Sequence, residues 1–267
     1  MSFVVLVLVG VLVGLTTVLF GFGGGFVTVP IVTVADAALG GDAVRVATAT
    51  SALVMLVNAA VATASARRGT LAPLRGRAGL FVLLGTGGAL GVVAARFAPD
   101  ALLRWGFVAY LGVTVADLVL RPGFLRPATT RAPRGARSGV PTALGLPIGA
   151  AAAFLGVGGS VMTVPMMRRA GSTMTAAATL ANPLTLAITL PAAAVTLLVP
   201  TTGLHAAGDA VAGLVGAVDL RAAAALLLGA MPVIVLLRRR PPRLPQSVHA
   251  WGYLALLVAA GVAVAAG

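Results

Sequence analysis

Two glycine-rich segments of similar sequence are the residues of this chain best suited to bind a ligand. The first glycine segment, residues 20–30, reads FGFGGGFVTVP, and the second glycine segment, residues 155–165, reads LGVGGSVMTVP. Glycine weakens a helix and lets backbone N–H groups approach a ligand closely. Each segment ends in a proline, which a helix tolerates best in its first turn. The pattern predicts that one helix ends and another begins in each segment, so that unpaired N–H groups and a positive helix end form an anion site.

Hydroxyl and amide side chains in the same apolar sequence complete the predicted site. Neither segment is a GxGxxG motif after a strand, and neither continues into Gly-Lys-Ser/Thr, so nucleotide-binding loops are excluded. Small residues also let membrane helices pack closely, and that alternative role is open for each residue taken alone. Repetition of the whole pattern favours a site. The predicted anion-binding residues are Gly23, Gly24, Gly25, Thr28, Thr50, Ser51, Gly158, Gly159, Ser160, Thr163, Thr179 and Asn182.

Ionisable side chains are scarce in the apolar sequence. Asp117 is the only acidic residue plainly within an apolar run, where it is either a proton-coupling carboxylate or an exposed group near the end of a helix. The chain has no cysteine, and His205 and His249 fall in or beside predicted loops, far apart in sequence. We therefore predict no metal site and no cofactor. No nucleophile has a positioned base, so we do not expect an enzyme.

The composition indicates the elements that must position these groups. Hydrophobic residues make up 59% of the chain and charged residues 9%, against roughly 45–50% and about 25% in soluble domains. Apolar runs recur at lengths close to or beyond the ~17–25 residues of a spanning helix. These features predict an all-α polytopic membrane protein. The first run, residues 3–35, is too long for one crossing and short for two, so we expect a break at the glycines, with the chain turning back or forming two short tilted segments.

The net charge of +13 has to be read from its distribution. Arginines cluster in residues 65–78, 121–138 and 238–243, which are short connections between apolar runs. This is the pattern of cytoplasmic loops in a membrane protein, where such loops also touch anionic lipid headgroups. We therefore expect a multi-pass protein of the cytoplasmic membrane, with the lipid bilayer and not nucleic acid as its surroundings.

The similarity between the two glycine segments extends to two homologous halves. Residues 1–125 form the first predicted transmembrane repeat and residues 139–267 the second, joined by a cytoplasmic linker rich in arginine and proline, residues 126–138. Trp105 and Trp251 occupy similar places near the start of the last helix of each half, as in an aromatic belt. The charge pattern is reversed between the halves. We predict inverted repeats of about five short or full helices each, broken near the midplane, with parallel halves as the alternative.

At these residues the chain resembles the TauE/SafE family of sulfite and sulfonate-linked anion exporters. The matching sequence comprises Gly21–Gly25, Val29-Pro30 and Ala47–Ser51 in the first half, and Gly156–Ser160, Val164-Pro165 and Ala176–Thr179 in the second. The second half departs from the family pattern at Ser160, Leu180 and Asn182-Pro183. The resemblance implies a secondary transporter for small sulfur-containing anions such as sulfite, thiosulfate, sulfoacetate or other organosulfonates.

The expected mechanism is alternating access around an anion held between the two helix breaks, with protons as a candidate coupling ion. Three alternatives remain at this stage. An anion channel would use the same donors without a conformational cycle. A carrier for another small organic anion, such as a carboxylate, would use the same site. A non-transporting membrane protein is disfavoured, because two breaks would lose backbone hydrogen bonds without an evident packing need.

Overall fold

Ten α-helices form the part of the chain that the structure describes. The structure is a computed structural model, and it describes residues 2–35, 43–125, 139–198, 214–215, 217–239, 242 and 244–266. The helices are α1 (Phe3–Phe20), α2 (Gly25–Ala35), α3 (Ala43–Ala64), α4 (Ala78–Phe97), α5 (Asp100–Leu120), α6 (Gly145–Phe154), α7 (Ser160–Arg169), α8 (Met174–Leu198), α9 (Leu220–Arg239) and α10 (Gln246–Ala266). Short 3-10 helices lie at Ala72–Leu74 and Thr142–Leu144, and strands β1 (Leu214–Val215) and β2 (Val218–Asp219) pair antiparallel before α9.

Seven of these helices are long and apolar enough to cross a membrane, namely α1, α3, α4, α5, α8, α9 and α10. The prediction of a polytopic α-helical membrane protein is confirmed. Five helices, α1–α5, precede the predicted linker, and five, α6–α10, follow it. The linker itself, residues 126–138, lies outside the described residues.

Both glycine segments break a helix, as the sequence predicts. α1 ends at Phe20 and is capped by Gly21, whose backbone is left-handed (φ 75°) and whose N–H bonds the Thr17 carbonyl. α2 begins four residues later, and in the second half α6 ends at Phe154 before α7 begins at Ser160. The predicted position of the prolines is wrong. Pro30 and Pro165 lie inside α2 and α7 and not in the first turn, because the left-handed glycines start each new helix earlier.

The two halves pack against each other reciprocally. The first helix of each half lies against the fourth helix of the other, so α1 packs on α9 and α6 packs on α4. Glycine permits this approach. A Cβ atom on Gly10 would lie 2.2 Å from the Leu226 carbonyl oxygen, and a Cβ atom on Gly91 would lie 2.2 Å from the Ala150 carbonyl oxygen. Such separations bring two helix backbones into direct contact, as small residues do in membrane helix packing.

These contacts also give the relative directions of the helices. Gly10 lies against Leu226 and Gly14 against Ala230, so α1 and α9 run in the same direction. On the other side of the protein, α4 and α6 also run in the same direction, because Gly91 lies against Ala150 and Gly145 against Leu83 and Leu80.

α3 gives the reference for the two fourth helices. Arg45, near the start of α3, donates to the carbonyls of Arg96 and Ala98 at the end of α4, so α3 and α4 are antiparallel. The N–H of Asp219, at the start of α9, donates to Thr50, near the start of α3, so α3 and α9 are parallel. α4 and its counterpart α9 therefore run in opposite directions. Inverted halves require these directions, and inversion across the bilayer stays a prediction.

Replacement of a packing glycine tests the contact between α4 and α6. We expect Gly149→Ala to lower the free energy of unfolding by roughly 1–3 kcal/mol, because its Cβ would lie 2.2 Å from the Leu84 carbonyl oxygen. Gly112→Ala is the matched control, since nothing lies within 4 Å of the added atom. Thermal unfolding in detergent measures both. Equal melting temperatures for the two variants would contradict the packing described here.

Single cysteines test the inversion, since the chain has none of its own. In intact cells a membrane-impermeant maleimide is expected to label Ala101→Cys, in the first turn of α5, from outside. Gly69→Cys and Leu244→Cys are expected to react only after permeabilisation. All three positions are open to reagent, because Ala101 and Leu244 are exposed and Gly69 has no neighbour within 4 Å. Labelling of Leu244→Cys in intact cells would instead show parallel halves.

Candidate anion-binding site

The two glycine segments touch each other where the two halves of the protein meet. A Cβ atom on Gly25 would lie 2.7 Å from the Gly156 carbonyl oxygen, and one on Gly158 would lie 3.5 Å from the Phe22 carbonyl oxygen. All four residues are buried. Because α2 begins at Gly25 and α7 at Ser160, the positive ends of both helices lie at this junction.

Three glycines at the junction have backbone conformations that other residues rarely adopt. Gly23 (φ 65°), Gly24 (φ 98°) and Gly158 (φ 73°) are left-handed. A Cβ atom on Gly24 would also lie 2.4 Å from a methyl carbon of Val13. The Gly24 carbonyl accepts the N–H groups of Val27 and Thr28. The earlier N–H groups of α2 have no acceptor within the helix, as at any helix start.

Three of the predicted hydroxyl donors use their hydrogen inside the protein. The Thr28 hydroxyl donates to the Gly24 carbonyl at 2.9 Å, and the Thr179 hydroxyl donates to the Thr175 carbonyl at 2.8 Å. The Ser51 hydroxyl donates to the Gly156 carbonyl at 3.1 Å and so ties α3 to the second glycine segment. Since a hydroxyl has one hydrogen, these groups hold the structure and do not donate to an anion in this conformation.

The unpartnered hydroxyl groups lie in the second half. Ser160 and Thr163, in the first turn of α7, are fully buried, and their hydroxyl oxygens have no hydrogen-bond partner among the described residues. Ser160 follows Gly159 where the first segment has Gly25, which has no side chain. Thr163 corresponds to Thr28, whose hydroxyl is bonded. The second glycine segment therefore supplies side-chain donors that the first does not.

Two residues at the junction were missed by reasoning from sequence. The methyl group of Thr185 lies 3.2 Å from a Cβ placed on Gly23 and 3.3 Å from one placed on Gly158, and its buried hydroxyl has no described partner. The sulfur of Met55 lies 3.1 Å from a Cβ placed on Gly158 and also contacts Gly25. A threonine close to the Asn182-Pro183 interruption was the available signal for Thr185. A methionine in an apolar helix gives no signal.

Two asparagine side chains hold backbone carbonyls beside the glycine segments. The Asn58 amide donates to the Gly23 carbonyl at 3.2 Å, and the Asn182 amide donates to the Ala178 carbonyl at 2.8 Å. Both residues are fully buried, and both amide oxygens have no partner in the described part of the chain. Asn182, a predicted site residue, therefore lies near the junction with its N–H bonded within α8.

Two predicted site residues lie far apart. The Thr50 hydroxyl accepts the N–H of Asp219 at 2.9 Å, whereas the Thr179 hydroxyl accepts from the Arg238 guanidinium at 2.8 Å. Asp219 precedes α9, and Arg238 is its penultimate residue. Nineteen residues of helix at about 1.5 Å per residue separate these contacts by about 28 Å. Thr50 and Thr179 therefore do not contact the same small anion, and the structure places them on opposite sides of the junction.

Asp117 lies in an ion-paired cluster near the end of α5. Its carboxylate is 2.7 Å from the Arg169 guanidinium and 3.2 Å from that of Arg121. The Arg169 pair joins α5 to α7. Asp117 is thus distant in function from the glycine segments, and its role in proton coupling stays a prediction. His249 lies buried in the first turn of α10, where its Nε2 contacts the Leu19 carbonyl.

Tyr253 supports α7 at the point where Pro165 interrupts it. A proline has no N–H, so the Val161 carbonyl loses its helical partner. The Tyr253 hydroxyl donates to that carbonyl at 3.1 Å and lies 3.3 Å from the Ser160 carbonyl. The tyrosine ring is fully buried, 4.8 Å from the ring centre of Phe22 in the first glycine segment. Phe107, the corresponding residue in the first half, has no hydroxyl group.

The crossing helices, the two broken helices and the buried polar groups at their junction define a polytopic membrane protein of the transporter class, built from two similar halves. The sequence model of the family described as sulfite exporter TauE/SafE matches residues 6–264, nearly the whole chain. The chain belongs to this family, as its resemblance predicts. No curated protein and no solved structure matches it. The family is one of transporters, which agrees with the absence of an expected enzymatic function.

Removal of the Tyr253 hydroxyl tests the support of α7. We expect Tyr253→Phe to lower the free energy of unfolding by about 1–3 kcal/mol, because the Val161 carbonyl would be buried without a partner. Thermal unfolding in detergent measures the change. Tyr253→Leu, which also removes ring packing, should lower stability further. A Tyr253→Phe variant as stable as the parent protein would show that the hydrogen bond is not needed.

Proposed function

We propose that the protein is a secondary transporter that moves a small sulfur-containing anion across the cytoplasmic membrane by alternating access. The anion is sulfite, thiosulfate, sulfoacetate or another organosulfonate. The observation that carries the proposal is the contact between the two glycine segments, where two helices begin and where the hydroxyl groups of Ser160 and Thr163 are buried without described partners. Membership of the sulfite exporter family supports the substrate class.

The chemistry of the junction suits a weakly held anion. Burying a hydroxyl without a hydrogen bond costs roughly 1–3 kcal/mol, so these donors favour a ligand that accepts from them. Backbone N–H groups at two helix starts add positive potential without a formal charge. Neutral donors allow release as well as binding, which a carrier requires. The proposed binding residues are Gly23–Gly25 and Gly158–Ser160 with Thr163, and Thr185 is added by the structure.

The arrangement of the halves supports a transport cycle. Reciprocal packing of α1 on α9 and α4 on α6 makes each half a unit that contacts the other through glycine-lined surfaces. The hydrogen bond from Ser51 to the Gly156 carbonyl crosses between the halves at the junction. Rocking of one half on the other would open the junction alternately to each side. The Thr50–Asp219 and Thr179–Arg238 contacts, one near each end of α9, are the proposed closures.

An anion channel is the second candidate, and a carrier for a carboxylate is a third. The direct contact between the glycine segments and the Met55 side chain at the same point favours a carrier over a channel, since a channel needs a continuous path. Saturable counterflow in proteoliposomes identifies a carrier, whereas conductance in planar bilayers identifies a channel. Competition by acetate against sulfite ranks the carboxylate alternative.

Loss of the two unpartnered hydroxyls tests the site. We expect Ser160→Ala and Thr163→Val each to reduce sulfite flux into proteoliposomes by about 5- to 10-fold at low sulfite concentration, because each removes one hydrogen bond of about 1 kcal/mol to the anion. Flux is measured with and without a proton gradient, so that coupling to protons is read from the same vesicles. Both variants conserve most of the side-chain volume.

Thr196→Val is the matched control. Thr196 is a buried threonine of α8 whose hydroxyl donates to the Ala192 carbonyl at 2.9 Å, outside the glycine segments. Flux through this variant should match the parent protein. If Ser160→Ala, Thr163→Val and Thr196→Val all transport at the same rate, the assignment of the anion site is wrong.

A further inference from the structure

We propose that Arg238 is an anion-binding residue of this transporter and forms a second subsite near the end of α9. The ligand class is an oxyanion with two oxygens that can accept side by side, such as sulfite, a sulfonate or a carboxylate. This inference rests on the proposed function, because it assigns a further step in the path of the same anion.

The guanidinium group of Arg238 is only half used by the protein. Its Nη1 donates to the Thr179 hydroxyl at 2.8 Å. Its Nε and Nη2 are buried and have no hydrogen-bond partner among the described residues. Nε and Nη2 form one edge of the planar guanidinium, and this edge binds two oxygens of an oxyanion through parallel hydrogen bonds. The free edge of Arg238 is therefore the one that recognises an oxyanion.

No described carboxylate neutralises this charge. Asp100 pairs with Arg45, and Asp117 pairs with Arg121 and Arg169. The carboxylate of Asp219 accepts the N–H of Ala222 at the opposite end of α9. A buried charge without a counterion destabilises a protein, so an external anion that pairs with it binds favourably.

Thr179 is the positioning residue for Arg238. Its hydroxyl donates to the Thr175 carbonyl and accepts from Arg238, so both of its bonding directions are fixed. The adjacent residue, Ala178, contacts the first glycine segment, since a Cβ on Gly21 would lie 2.5 Å from the Ala178 carbonyl oxygen. The Arg238 subsite therefore adjoins the segment that leads to the central junction.

The position of the subsite indicates its place in the transport path. Arg238 lies at the end of α9, immediately before a sequence with three further arginines at 239, 240 and 243. This end of α9 is the predicted cytoplasmic side. An anion would meet a formal positive charge there, where the potential raises its local concentration, and would then pass to neutral donors at the junction. The arrangement favours loading from the cytoplasm and hence export.

Sulfite binding to the full-length protein in detergent tests the inference. Isothermal titration with sulfite and with methanesulfonate is expected to show a Kd about 10- to 100-fold higher for Arg238→Gln than for the parent protein, the range that charge-assisted hydrogen bonds supply. Arg238→Lys should show an intermediate Kd, because an ammonium group keeps the charge but loses the two-pronged edge. Arg221→Gln, an exposed arginine in the first turn of α9, is the matched control and should bind as the parent does.

A second readout separates ligand binding from folding. Sulfite is expected to raise the melting temperature of the parent protein but to raise that of Arg238→Gln much less, whereas chloride should distinguish the two proteins weakly. Thr179→Val should weaken sulfite binding while leaving Arg238 in place. If Arg238→Gln does not fold, Arg238→Lys and Thr179→Val decide the matter.

The outcomes distinguish this inference from the proposed function. Sulfite binding and flux in the parent protein, with unchanged Kd in Arg238→Gln or, if that variant does not fold, in Arg238→Lys and Thr179→Val, would overturn the role of Arg238 alone. No binding or flux of sulfite, methanesulfonate or acetate in the parent protein would overturn the proposed function and this inference together. A raised Kd in the Arg238 variants with a normal Kd in Arg221→Gln would support the subsite.

Discussion

The direct contact of backbone with backbone at the two glycine segments is the constraint on which the rest of the structure depends. Gly25 lies against the Gly156 carbonyl, and Gly158 lies near the Phe22 carbonyl, at distances that leave no room for a side chain on Gly25. This contact requires each half to break its first helix, because only a break exposes backbone polar groups in an apolar interior. The same need for close approach recurs where α1 meets α9 and α4 meets α6, so the halves are joined through glycine at the junction and on both sides of it.

The two halves share an architecture but differ in polar chemistry. In the first half the hydroxyls of Thr28 and Ser51 are bonded to backbone carbonyls. In the second half those of Ser160 and Thr163 have no described partner. The second half also has Tyr253, whose hydroxyl replaces the hydrogen bond that Pro165 removes from α7. The first half is therefore held mainly by its own bonds, and the second offers the donors. Repeated architecture supplies two helix starts, and divergence between the copies supplies selectivity.

Much of the fold could be predicted from the sequence, because its signals are local. Hydropathy and length indicate the crossing helices, the glycine runs indicate the breaks, and the repeated motifs indicate five helices in each half and the family. The prolines were placed wrongly in the first turn, since helix starts are decided by the left-handed glycines and not by proline preference. Arg238 looked like one arginine of a cytoplasmic loop, because its contact with Thr179 joins residues far apart in sequence.

The sequence by itself determined the class of protein, the doubled break and the residue types available to an anion, since these depend on composition and on spacing along the chain. Only the tertiary structure decided which of those residues meet. It joined the two glycine segments, placed Thr185 and Met55 beside them, and separated Thr50 from Thr179 toward opposite ends of α9. The physical reason is that hydrogen-bond partners are shared out among helices in space. Whether a hydroxyl is free for a ligand or bonded to a carbonyl depends on how those helices pack, and spacing along the chain does not record it.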